Sequence, residues 1–151
     1  MAEVDFHILG EDSDVARLKS ACVLIEQAYL AGERVLVWLD DDAAATAFDD
    51  LLWTFGDRAF VPHEPLGAQP AQSEAPVQLS AAATLPAAAL QGHFSLLVSL
   101  REQASPVALQ FPKVMEVIDA NPARRDAGRA RFRFYREQGA TPRHHELARK
   151  N

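Results

Sequence analysis

Residues 34–55 read RVLVWLDDDAAATAFDDLLWTF, and this stretch decides the fold. Arg34 to Leu39 is a nearly continuous apolar run, the pattern of a strand buried on both faces, as in a parallel sheet. Asp40, Asp41 and Asp42 follow at once and suit the cap and acidic first turn of a helix. Ala45, Phe48, Leu51 and Leu52 then mark its apolar side. A buried strand running straight into a helix is half of a strand–helix–strand unit.

Upstream the same alternation appears. Val4 to Leu9 is rich in β-formers and reads as a strand. Ser13 is placed to cap a helix with Asp14 in its first turn, and Leu18, Ala21, Cys22, Ile25, Ala28 and Tyr29 recur at helical spacing. Gly32 sits where a terminating glycine belongs. The first 55 residues therefore read strand–helix–strand–helix.

Downstream the signal is weaker. Ala59, Phe60 and Val61 suggest a short strand stopped by Pro62, and residues 64–76 a surface loop. Val77 to Leu79 suggests another short strand, and residues 81–92 are low in complexity, with Pro86 interrupting any helix. Phe94 to Leu100 is the third strong strand, Val107 to Phe111 a helical connector, and Val114 to Ile118 the expected last strand. Asn121 then caps a helix with Pro122 at its first position, running to about Gln138 before Gly139. The final dozen residues are polar and expected to fray. The reading is one α/β domain with a mostly parallel sheet over residues 1–140, a variable loop region at 64–92 and a polar tail at 141–151.

Composition bounds the function. The 151 residues carry a formal charge of −6, which argues against a protein that coats nucleic acid by charge alone. That figure hides an asymmetry: residues 1–119 hold 6 Lys/Arg against 18 Asp/Glu, and residues 120–151 hold 9 against 3. Cys22 is the single cysteine, so neither an intrachain disulfide nor a cysteine zinc site is expected, in keeping with a reducing, cytoplasmic setting. No apolar run approaches the roughly 18 residues of a membrane span, and MAEVDFHILGEDSD has no signal-peptide character.

An open α/β sheet invites a nucleotide, but the seven glycines form neither GxGxxG nor GxxxxGK[ST], and the acidic loop from Gly10 to Asp14 would repel a phosphate. GxSxG and HExxH are also missing. No metal or cofactor is expected. Asp40, Asp41 and Asp42 fit either a phosphoryl-transfer cluster at a strand end or, more simply, a helix start. His63, after Val61 and Pro62, suits a turn anchor better than an acid/base group, and His144 and His145 fall in the expected tail. Cys22 lies on an apolar helix face.

Two features suggest binding. On a wheel of about 100° per residue, Arg125, Arg129, Arg133 and Arg136 share one stripe with Phe132 beside them, while Ala123, Ala127, Ala130 and Phe134 fall together as the expected core face. Asp126 alone among acids interrupts the stripe, so it stays basic, and a ring exposed amid arginines calls for a cover. Guanidinium groups beside an apolar ring suit an acidic peptide with an apolar end or a terminal carboxylate. The second feature is Leu51 to Phe55 followed by Phe60 to His63. Trp53 lies about 100° round from Leu52, so Trp53 and Phe60 read either as core rings or as anchors of a partner surface.

These stretches together resemble the chi subunit of bacterial DNA polymerase III. The resemblance is carried by Phe6 to Leu9, AGERVLVWLDDDAAATAFDDLLWTF, AFVPH, APVQL, SLLVSLRE and VMEVIDANPARRDAGRARFRFYREQG. It spans nearly the whole chain but says little of residues 64–92 beyond APVQL. It implies a Rossmann-like three-layer fold without a nucleotide and an adaptor without chemistry of its own. One surface would bind the psi subunit of the clamp loader, and its residues match Trp53 and Phe60, with Pro62 and His63 nearby. A second would bind the acidic C-terminal tail of single-stranded-DNA-binding protein, which ends in Phe. Its basic residues match Arg125, Arg129 and Arg133, its ring matches Phe132 and its apolar wall Ile118. Two of the basic positions can be Lys in the family and the ring can be Tyr. Contact with DNA would then be indirect or weak. The rival readings are a small α/β enzyme acting on a nucleotide or phosphorylated substrate through Asp40 and Asp41, and direct single-stranded DNA binding by the arginine helix, which offers little surface for that task.

Overall fold

The computed structural model describes residues 2–147. Seven strands form one all-parallel sheet: β1 (Glu3–Ile8), β2 (Val35–Trp38), β3 (His63–Pro65), β4 (Val77–Ser80), β5 (Leu96–Ser99), β6 (Lys113–Ile118) and β7 (Arg143–Glu146). Their order across the sheet is β3-β4-β2-β5-β6-β1-β7. Helices α1 (Asp14–Leu30), α2 (Asp42–Thr54) and α3 (Pro122–Glu137) complete a single α/β domain of Rossmann-like, three-layer form.

The apolar run at 34–39 becomes β2, every residue of which is buried. Alternation sends its side chains to two cores. Val35 and Val37 pack with Ala21, Cys22 and Ile25 of α1 and Phe48 and Leu52 of α2. Leu36 and Trp38 face the other way, with Phe6, Val114, Ile118 and Tyr135 of α3. Thus α1 and α2 cover one face, and α3 with short 3-10 turns at Ala87–Leu90 and Pro106–Gln110 covers the other. Ser13 caps α1 through a bond from Ala16 N (3.1 Å). Gly32 takes the left-handed conformation (φ 85°) that ends it.

Two corrections concern the edges. The short strand lies at His63–Pro65, not at 59–61. Val61 instead plugs the core while Phe60 faces solvent, and a proline is tolerated because β3 is an edge strand. This strand and a 3-10 turn at Pro70–Gln72 give the segment read as a surface loop some structure, while the strand expected at 77–79 is present as the interior strand β4. The second correction is that β6 is not the last strand. Arg143–Glu146 pair in parallel with β1, and Leu147 N–H donates to Ile8 O (2.9 Å). Asp5 accepts from the Arg143 guanidinium (3.0 and 3.1 Å) and lies 2.7 Å from His145 Nε2. The expected fraying therefore does not hold over 143–146, and the last residues of that tail, 148–151, lie outside the described residues.

Candidate functional site

The first candidate region is built on α3. Asn121 Oδ1 accepts from Arg124 N (3.1 Å), with Pro122 opening the helix. Asp119, at the end of β6, holds this first turn: Arg124 donates to both its oxygens (2.8 and 2.7 Å), and Ser13 N–H donates as well (2.9 Å). The Arg124 guanidinium keeps the Asp119 carboxyl below its ordinary range.

The helix meets the sheet through Gly128, Arg131 and Tyr135, all buried. This overturns the expected core face: Ala123 and Ala130 are exposed, and Ala127 and Phe134 are only half-buried. The reason is a buried polar cluster. Arg131 Nε donates to Glu116 Oε1 (2.8 Å) and its Nη1 to Glu102 O (2.8 Å), while Tyr135 OH donates to Glu116 Oε2 (2.7 Å). Burial pushes the Glu116 carboxyl up against the opposing pull of Arg131 and Tyr135. It also pushes the Tyr135 hydroxyl far above its ordinary value. Gly128 lets the helix close on β6, because a Cβ there would collide with the end of the Ile118 side chain.

With α3 in this roll, a groove of about 540 Å³ opens between it and the strands β6, β1 and β7. Phe6, Ile8, Ile118 and Phe132 give its apolar surface, and Arg125, Arg129 and Arg133 line it from the helix. All five residues named from the sequence for an acidic tail are thus neighbours. Arg136, the fourth of the stripe, is not among the lining residues. Phe132 is less exposed than expected: it is half-buried, its ring 5.3 Å from that of Phe6. Arg129 pairs with Asp126 at the surface (2.8 Å), and Arg125 Nε donates to Asp119 O (3.2 Å). Among the described residues no carboxylate lies within ion-pair distance of Arg133.

Sequence reasoning missed the groove's far wall. The register Phe6↔His144 and Ile8↔Glu146 brings those two β7 residues to its edge. Residues Arg143 to Glu146 are exposed and have no apolar alternation, so no local pattern marks them as a strand or as part of a site.

The second candidate region lies at the opposite sheet edge, beside β3. Trp53 and Phe60 are 52% and 60% exposed, with ring centroids 6.1 Å apart. Beneath Trp53, 4.4 Å between centroids, lies the buried ring of His63. His63 Nδ1 donates to Val61 O (2.7 Å), and Nε2 lies 3.0 Å from Asp49 Oδ1. Pro62 between them is half-buried. The open choice between core rings and surface anchors thus falls to the surface for Trp53 and Phe60, with His63 as the fixed support.

The remaining candidates have structural employment. Asp41 Oδ1 caps α2 by accepting from Ala44 N (2.7 Å). The Asp40 carboxylate accepts from Glu102 N (3.2 and 3.3 Å). Burial pushes the Cys22 thiol up to about 12, which keeps it protonated. Among the described residues no group of three or more His, Cys, Asp or Glu is placed to hold a metal, and no helix is long and apolar enough to cross a membrane.

Comparison with known proteins agrees with the resemblance drawn from the residues. A family model described as DNA polymerase III chi subunit, HolC, matches residues 1–143. The DNA polymerase III subunit chi of Pseudomonas aeruginosa is 38% identical over 149 residues, covering 99% of each chain. With the fold, the order of motifs and both matches in agreement, the chain belongs to the DNA polymerase III chi subunit family.

Proposed function

We propose that the protein is a non-catalytic adaptor of the replicative polymerase. It links the clamp loader, through a psi subunit held at Trp53 and Phe60, to the acidic C-terminal tail of single-stranded-DNA-binding protein. The observation that carries this reading is the convergence of Ile118, Arg125, Arg129, Phe132 and Arg133 on one groove. Guanidinium groups hold a terminal carboxylate and acidic side chains well, while Ile118 and Phe132 offer an apolar contact for a terminal ring. Shallow, partly exposed ion pairs give modest affinity that falls with salt, which suits a contact made and released during strand synthesis.

The test is a fluorescent peptide of acidic residues ending in Phe. Arg129→Ala is expected to weaken it about five- to ten-fold at low salt, as is amidation of the peptide's terminal carboxylate. Unchanged affinity in both cases sinks the assignment.

A further inference from the structure

We infer that the aromatic patch beside β3 receives a basic amphipathic segment, a stretch of partner chain with apolar residues flanked by Lys or Arg. This rests on the reading of that edge as the psi-binding surface and adds the chemistry of the partner.

Helical spacing puts Asp42, Thr46, Asp49 and Trp53 on one line along α2, with Asp50 a turn from Trp53. Beside this line a groove of about 530 Å³ runs between α2 and the ends of β3 and β4. Asp42 and Asp49 border it, and Ala45, Leu66 and Leu79 supply apolar surface. Among the described residues no Lys or Arg lies within ion-pair distance of Asp42, Asp49 or Asp50; the one charged-group contact is His63 with Asp49. The patch thus offers exposed rings for apolar anchors, with Asp49 and Asp50 a turn before Trp53 and Asp42 three turns back along the same helix, none of them paired with Lys or Arg among the described residues. A segment carrying Lys or Arg among apolar residues satisfies both, whereas an acidic tail is repelled.

The experiment is calorimetric titration of the chain with recombinant psi subunit from the same organism at 50 mM and 500 mM salt. The paired substitutions Asp42→Asn and Asp50→Asn leave the Asp49–His63 contact intact. They are expected to weaken binding about ten-fold at 50 mM and less than two-fold at 500 mM, because screening removes the charge contribution. Trp53→Ala is expected to weaken binding at both. If the aspartate variant binds as tightly as the parent at low salt while Trp53→Ala does not, the basic-segment inference fails and the psi reading stands. If Trp53→Ala also binds normally, the psi reading itself fails. Sedimentation of the chain alone covers the remaining occupant: self-association lost in the aspartate variant assigns the patch to the arginine helix of a second copy and overturns the inference.

Discussion

At the β7 edge of the sheet the chain offers a groove lined by arginines; at the β3 edge it offers two exposed rings bordered by aspartates. The ring at the first edge, Phe132, is half-buried against Phe6 and forms part of a wall. The rings at the second, Trp53 and Phe60, stand out from the surface. One parallel sheet thus carries a basic groove at one edge and projecting rings beside an acidic helix at the other. The difference comes from the flanking helices: α3 presents Arg125, Arg129 and Arg133, and α2 presents Asp42, Asp49 and Asp50. On the proposed reading, a ligand suited to one edge is unsuited to the other.

The largest effect is expected if α3 loses its seat. Arg131→Met leaves Glu116 buried beside Tyr135 without its cation, and removal of one member of a buried pair costs roughly 3–5 kcal/mol. Urea denaturation is expected to show that loss, while Arg133→Ala on the exposed face of the same helix changes stability little. Next in size, Trp53→Ala is expected to reduce psi capture by about 100-fold or more, as for a central aromatic anchor, with tail-peptide affinity unaltered. Loss of both activities in co-purification and peptide assays would instead show unfolding.

Smaller effects are expected within the groove. Gly128→Ala gains helix propensity of about 1 kcal/mol but displaces the end of Ile118 in the groove. The expected result is a few-fold loss of tail affinity with little shift in Tm, by peptide titration and thermal denaturation. Smallest is Glu146→Gln, which removes the one acid that lines the groove among the described residues. Tail affinity is expected to rise about two-fold at low salt and not at high salt.

Legibility in the sequence followed burial. The β2 run was plain because all four of its residues are buried, and the capped starts of α1 and α2 were plain because Ser13 and Asp41 bond their own first turns. The residues expected at a tail site line one groove, yet the face of α3 was misread. Arg131 is a core residue only because Glu116, 15 positions upstream, meets it in the fold, and no wheel contains that partner. β7 was invisible for the opposite reason: an exposed edge strand needs no apolar pattern, and its hold on β1 comes from backbone pairing and from Asp5, 138 residues before Arg143. The β3 strand was placed a few residues early because Phe60 and Val61 favour strands by type, whereas one is an exposed ring and the other a core plug.

On the proposed reading the two edges work at the same time and independently. This is tested by titrating the acidic Phe-ended peptide into the chain alone and into the chain saturated with psi subunit. The account predicts the same Kd within about two-fold and a complex containing all three components. Displacement of psi by the peptide, or a peptide Kd weakened by ten-fold or more once psi is bound, would contradict it.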